Sequence, residues 1–236
     1  MWQPPVDALA AAFAHAGRCA PAEACGVIAA GGFVPIANRA TDYDRFVMDW
    51  REYAAVAGAH KIEAIAHSHV EQPPLPSETD HAFCEKLGLP WLILAWPSRR
   101  FTVIEPQGAT APLIGRPWVW GTQDCFGLVR DAFRAYTGIL IPDFCRDWAF
   151  WQNGEDLIGA HCAEAGFLAL PPATPPRHCD VLAMQVNASP VANHLALFLA
   201  PDLILHHLIG RLSRRQPYDG FFQRKTVRHF RHERLA

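Results

Sequence analysis

The chain has 236 residues, 50% of them apolar and 19% charged, with a formal net charge of −2. That length suits one large domain or two small ones, and the apolar share excludes a disordered chain. No apolar run approaches the ~18 residues of a membrane-spanning helix. The net negative charge argues against nucleic acid as a partner.

The charge is uneven along the chain. Residues 1–106 carry 8 Lys+Arg against 12 Asp+Glu, residues 107–209 carry 5 against 9, and residues 210–236 carry 8 against 2. A basic C-terminal segment points to an acidic partner surface, or else to a solvated terminal strand that balances an acidic body. The 7 cysteines are scattered and form no CxxC pair. An odd count without paired spacing speaks against a disulfide framework or a cysteine-rich zinc site. It favours a reducing compartment, with most thiols as small core residues.

Pro4 and Pro5 lead into a helix whose apolar stripe is Val6, Leu9, Ala10, Phe13 and Ala16. Residues 8–16 lack a basic leader and follow Asp7, so they read as an amphipathic helix and not as a signal-peptide core. Short apolar runs at 27–30 and 33–37 flank Gly31-Gly32 and predict a hairpin. A helix over 51–57, a strand over 64–69 and a helix over 77–87 stopped by Gly88 follow. Strands at 91–96 and 101–104 close the first half. Residues 106–117 hold three prolines and two glycines without periodicity, the best linker in the chain. The expected organisation is a domain over 1–106, a linker over 107–117 and a domain over 118–236.

The second half opens with a helix over 126–136, stopped by Gly138. Its apolar positions are Phe126, Val129, Phe133 and Tyr136. A region around Trp148, Phe150 and Trp151 has no clear pattern, and a Pro-rich loop covers 170–176. Strands are predicted at 181–186, 195–200 and 203–208. Helix and antiparallel sheet in succession make an α+β fold class for both domains.

His67 and His69 end the 64–69 strand, and residues at i and i+2 share a strand face. Asp80 follows on the first turn of the next helix. Two imidazoles and a carboxylate would hold zinc and leave a fourth position for water, as a hydrolytic site requires. A plainer account is also available: Ser77 and Asp80 suit the N-cap and first turn of a helix whatever the histidines do.

These residues resemble the JAMM (Mov34-type) zinc isopeptidases. That family combines an E-x-C-G stretch, here Glu23-Ala24-Cys25-Gly26, with H-x-H-x7-S-x2-D, here His67, His69, Ser77 and Asp80. The resemblance implies zinc held by His67, His69 and Asp80, Glu23 as proton shuttle and Ser77 as oxyanion stabiliser. Val70 stands where the family has proline after the second histidine.

In the second half, Cys125 sits at a helix N-terminus, where unpaired N–H groups and the helix dipole favour a thiolate. A thiolate nucleophile needs an imidazole and an orienting partner. His194 and His206 begin and end successive predicted strands, which a turn near Pro201-Asp202 would place side by side, in a register the sequence leaves open. The alternative is a buried helix-start cysteine with unrelated histidines.

Residues 118–208 resemble the NlpC-type cysteine peptidases, papain-like enzymes that cut bacterial cell-wall stem peptides. The matching stretches are Trp118-Val119-Trp120-Gly121, then Asp124-Cys125-Phe126-Gly127-Leu128-Val129. Cys179-Asp180-Val181, His194-Leu195-Ala196-Leu197-Phe198-Leu199 and a strand ending at His206 complete them. The resemblance implies Cys125 as nucleophile, His194 as base and His206 as orienting partner, with His207 as the other candidate for that last role. Asp180 carries over as a structural residue. Phe126 and Cys179 replace the family's serine and glycine at positions outside the chemistry.

The two domain types in this order resemble the tail-tip assembly proteins of lambda-like phages. That implies Zn2+ as cofactor, other phage tail-tip proteins as partners and peptidoglycan stem peptides as substrate. It also implies assembly in the host cytoplasm followed by action at the virion tail tip and host cell wall. A rival reading keeps both peptidase folds as non-enzymatic docking modules.

Overall fold

The computed structural model describes residues 2–146, 149–172 and 174–236. Trp148, part of the unpatterned stretch, lies outside the described residues, as does Ala173 of the Pro-rich loop. The chain forms two compact units, Met1–Thr110 and Ala111–Ala236.

The first unit runs α1 (Val6–Cys19), β1 (Cys25–Ala29), β2 (Gly32–Ile36), α2 (Trp50–Ala59), β3 (Ile62–Val70), α3 (Glu78–Leu87), β4 (Trp91–Trp96) and β5 (Arg100–Ile104). Its sheet has the order β2-β1-β3-β4-β5 and is antiparallel except for β3 and β4. That parallel pair needs a crossover, which α3 supplies. Strand alternation divides the core. Ala64 and Ala66 of β3 face α1, joining Ile28, Leu92, Leu94 and Phe13. Ile65 faces the other way, with Val27, Trp91 and Cys84 of α3. His67 and His69 continue that second face.

Helix ends follow local chemistry. Asp49 caps α2 by accepting the amides of Arg51 and Glu52. Ser77 and Asp80 form a reciprocal capping box on α3, and Gly88 ends it in the left-handed conformation.

The second unit runs α4 (Cys125–Thr137), a 3-10 turn (Phe150–Asn153), α5 (Leu157–His161), β6 (Phe167–Ala169), β7 (Val181–Met184), β8 (His194–Leu199), β9 (Leu203–His206), β10 (Arg214–Pro217), α6 (Gly220–Lys225) and β11 (Thr226–His232). The sheet order is β10-β9-β8-β7-β11-β6, antiparallel throughout. Leu128, Val129, Ala132 and Phe133 of α4 pack on Leu195, Leu197 and Leu205. The opposite sheet face holds Leu182, Met184, Ala196, Phe198 and Ile204 against Phe222 of α6.

The α4 helix begins at Cys125, with Asp124 as N-cap, within one residue of the expected start. The structure corrects one expectation. The basic C-terminal segment is no free tail or solvated strand: β11 threads between β7 and β6, and Phe230 is core. Part of its charge is consumed internally. Arg231 and His229 both bind Asp180, and Arg228 pairs with Asp156. Alternating charge hid this strand, because its cations find a partner inside the fold.

Candidate functional site

Among the described residues, two clusters carry chemistry, one in each unit. In the first, His67 is buried and His69 half-buried, both on one face of β3. His67 Nε2 lies 3.2 Å from His69 Nε2 and 3.4 Å from Asp80 Oδ1. Four ligands at about 2.0–2.1 Å around a tetrahedral ion stand about 3.3 Å apart, which both distances from His67 match, and all three ligand atoms lie within 4.8 Å of one another. His69 Nδ1 lies 3.0 Å from the Pro73 carbonyl, which calls for a proton on Nδ1 and leaves Nε2 as a lone pair aimed at the cluster. The donor set of two imidazole nitrogens and one carboxylate oxygen fits zinc. Burial holds His67 in its neutral form, with its pKa down to about 4. Phe46 stacks on its ring at 4.5 Å and Trp91 meets it edge-on.

The backbone sets Glu23 beside this cluster. Cys25 pairs with His67 in the antiparallel register, so Glu23, two residues earlier, is level with His69 and on its face. Ser68, fully buried, accepts the Ala24 amide on Oγ while its own N–H donates to the Ala24 carbonyl. The Glu23 N–H donates to the Tyr43 carbonyl, and Asn38 Nδ2 donates to the Glu23 carbonyl. Sequence reasoning missed Ser68 and Asn38, because a serine between two histidines and a loop asparagine carry no spacing signal of their own. Glu23 is 7% exposed, and burial pushes its pKa up to about 8, helped by the charges of Asp80 and Asp44. Ser77 Oγ donates to Asp80 Oδ2 at 2.8 Å and accepts the Asp80 amide at 3.1 Å.

Gly26 of the same stretch is required by close packing. A Cβ there would press on the Phe33 ring and the Val34 carbonyl of β2.

In the second unit, Asp124 organises the start of α4. Its Oδ1 accepts the Gly127 amide, its Oδ2 accepts the Gly121 amide, and Arg146 binds both oxygens. Gly127 has no room for a side chain, because a Cβ would overlap the Thr122 carbonyl. This loop sets Cys125 at the helix N-terminus, against the strand that begins at His194. Burial pushes the Cys125 thiol up to about 12, and Asp124 adds to that. The amides of Leu195 and Phe126 pull the other way.

His194 is 3% exposed and burial brings its pKa down to about 3, with His206 and His207 adding repulsion. Ala196 pairs with His206, so His194 lies diagonal to His206 on the same sheet face. Its Nε2 is 3.1 Å from His206 Nδ1. His206 Nε2 in turn lies 2.8 Å from Gln216 Oε1 on β10. His207 points elsewhere, with Nε2 3.0 Å from the Arg211 carbonyl. The structure thus brings His206, and not His207, to His194. No hydrogen bond joins the Cys125 thiol to His194; the thiol lies at the backbone of the next residue, Leu195.

Beside Cys125 opens a pocket of about 90 Å³ with apolar walls from Phe126, Phe144, Ile158 and Phe167. Asp180, named as structural, lies outside this cluster. Its carboxylate binds His229, Arg231 and the Arg177 amide, which accounts for its presence at the start of β7.

The fold and these clusters define a class: a JAB-like domain followed by a domain of the NlpC/P60 peptidase family. Residues 5–105 match the prokaryotic homologs of the JAB domain, and residues 115–231 match the NlpC/P60 family. The chain belongs to the tail tip assembly protein K family of lambda-like phages. It is 36% identical to tail tip assembly protein K of Escherichia phage N15 over 240 residues, covering 99% of this chain and 96% of that protein. It is 34% identical to tail tip assembly protein K of Escherichia phage lambda over 184 residues, covering 78% of this chain and 87% of that protein. Among the described residues, no helix is long and apolar enough to cross a membrane.

Proposed function

We propose that the second domain is a cysteine peptidase that hydrolyses amide bonds in peptidoglycan stem peptides, within a phage tail tip shared with other tail-tip proteins. The observation that carries this is the meeting of Cys125, at the N-terminus of α4, with the strand that opens on the hydrogen-bonded pair His194–His206. Cys125 Sγ attacks the scissile carbonyl carbon after its proton passes to His194. The C–N bond breaks as His194 returns that proton to the leaving amine. An acyl-thioester remains on Cys125. His194 then takes a proton from water, whose oxygen attacks the thioester carbonyl and frees the thiol. His206 orients the His194 ring. The amides of Leu195 and Phe126 favour the thiolate form.

In the first domain, His67, His69 and Asp80 would hold zinc. Zinc in such a site polarises a carbonyl and makes water nucleophilic near neutral pH. Glu23, buried beside the cluster and outside the ligand set, would hold and pass a proton at its carboxyl oxygens. Ser77 keeps the Asp80 carboxylate in position through the capping box, and serves as an oxyanion donor once its hydroxyl turns from Asp80 Oδ2.

The protein is made in the host cytoplasm and acts at the tail tip against the cell wall. Mass spectrometry of purified peptidoglycan after incubation with the protein tests the peptidase reading. New stem-peptide fragments from the wild type, absent with Cys125→Ala, are expected. Folded wild type that releases none defeats it.

One observation favours a second reading, in which both folds serve as docking modules: the Cys125 thiol makes no hydrogen bond to His194, and burial pushes its pKa up. Particle assembly and infection by a Glu23→Ala, Cys125→Ala double variant separate the two. Normal infection supports docking, and loss of infection by otherwise complete particles supports catalysis.

A further inference from the structure

Three strands carry a diagonal chain of side chains that ends beyond the two histidines. His194 lies on β8 and His206 on β9. Gln216 lies on edge strand β10, where Arg214 pairs with His206 and places Gln216 on the same face. Gln216 Oε1 stands 2.8 Å from His206 Nε2, and His206 Nδ1 stands 3.1 Å from His194 Nε2. Phe222 packs edge-on against the His206 ring at 5.0 Å and limits its rotation.

The geometry points to Gln216 as the positioning residue that fixes which nitrogen of each histidine carries its proton. An amide oxygen only accepts, so the His206 nitrogen that meets it must donate. With the proton on His206 Nε2, Nδ1 is a lone pair and accepts from His194 Nε2. That leaves the proton of His194 on Nε2 and its Nδ1 bare, the form a general base needs. An amide does this without a charge. A carboxylate at the same position would fix the same protons but would also draw the histidines toward their cationic forms. Gln216 therefore sets direction while leaving the pair neutral. Its consequence for catalysis rests on the peptidase reading above; the proton placement itself does not.

The test is proton-detected nitrogen-15 spectroscopy of the histidine rings in the full-length protein, without substrate. The wild type should show the Nε2–H form for both His194 and His206. Gln216→Met keeps the side-chain length and removes the acceptor, and should give His206 a mixture of both neutral forms. Gln216→Glu should restore the Nε2–H form. Nδ1–H on His206 in the wild type overturns the inference, as does folded Gln216→Met with unchanged ring signals. A wild type that shows the expected ring signals yet cleaves no peptidoglycan refutes the peptidase reading and upholds this one.

Discussion

Asp180 and Arg231 form a two-point ion pair inside the second domain, with Nε 2.8 Å from Oδ1 and Nη2 2.8 Å from Oδ2. Asp180 is 1% exposed and Arg231 7%. His229 Nε2 adds a third contact at 2.7 Å. The pair ties β11 to the start of β7, and so locks the C-terminal segment into the sheet.

Removing one partner of a buried pair leaves the other charge without compensation. Asp180→Ala should destabilise the domain by about 3–5 kcal/mol, measured by denaturant unfolding. Asp180→Ala combined with Arg231→Met should recover much of that loss, because no bare charge remains. A double variant as unstable as the single would show that the carboxylate's backbone contacts dominate.

The buried histidines of this domain should make it acid-labile. His194 has an ordinary pKa of 6.5 when unfolded and about 3 in the fold, and burial lowers His206 and His207 too. Above pH 6.5 neither state binds the proton, and stability is complete. As pH falls below 6.5 the unfolded chain takes up protons that the folded one refuses, so stability declines down to the folded value near 3. The melting temperature of this domain should be flat between pH 6.5 and the ordinary thiol value of 9.0, and fall steadily between 6.5 and 4. His194→Gln should flatten that slope relative to wild type in the same scans. Equal slopes would mean that His194 is protonated in the fold.

Zinc should bind the first domain at one ion per chain, checked by metal analysis after dialysis. His67→Ala and Asp80→Asn should each lose it. At free zinc a hundredfold above the dissociation constant, binding adds about 2.7 kcal/mol, so the melting temperature should rise by several degrees. No rise for the wild type would defeat the assignment. Glu23→Gln should keep the ion, since Glu23 stands outside the ligand set.

Much of the first site was legible in the sequence because its parts are local. A strand places His67 and His69 on one face, and a helix start places Ser77 and Asp80 together. Glu23 became legible only through a family pattern, because the β1–β3 register brings it to His69 and no spacing within one element reports that. In the second domain the helix after Cys125 was clear from its apolar stripe. The histidine pair was foreseen, but its partner Gln216 was not, since an edge strand reading Arg-Arg-Gln-Pro has no apolar alternation. Strand β11 was missed for a related reason: its buried cations imitate a solvated segment until Asp180 is seen to pair with them.

Gly127 separates space from chemistry. The Thr122 carbonyl occupies the place a Cβ would take, and the Gly127 amide binds Asp124. Gly127→Ala must therefore push the 121–124 loop off the helix start. The expected result is a loss of at least about 1–3 kcal/mol and displacement of Cys125, read as lower stability and altered thiol alkylation. A variant with wild-type stability would mean that the loop yields freely.

Cys125 itself offers the sharpest check on the resting site. Its folded pKa of about 12 lies above the ordinary value of 9.0, and His194 is held neutral, so the pair rests as thiol and imidazole. Alkylation proceeds through the thiolate. Its rate should therefore climb about tenfold per pH unit from neutrality upward, with no plateau below the folded value. A thiolate–imidazolium pair would behave differently, reaching a plateau already at mildly acidic pH, as low-pKa catalytic cysteines do. The distinction bears on mechanism. A climbing profile means that substrate must bring the thiol and His194 together before the proton moves, and Cys125 would stay guarded from oxidants and stray electrophiles until a stem peptide fills the pocket. An early plateau would mean that the ion pair exists before substrate arrives, with Cys125 turned from Leu195 toward the bare Nδ1 of His194.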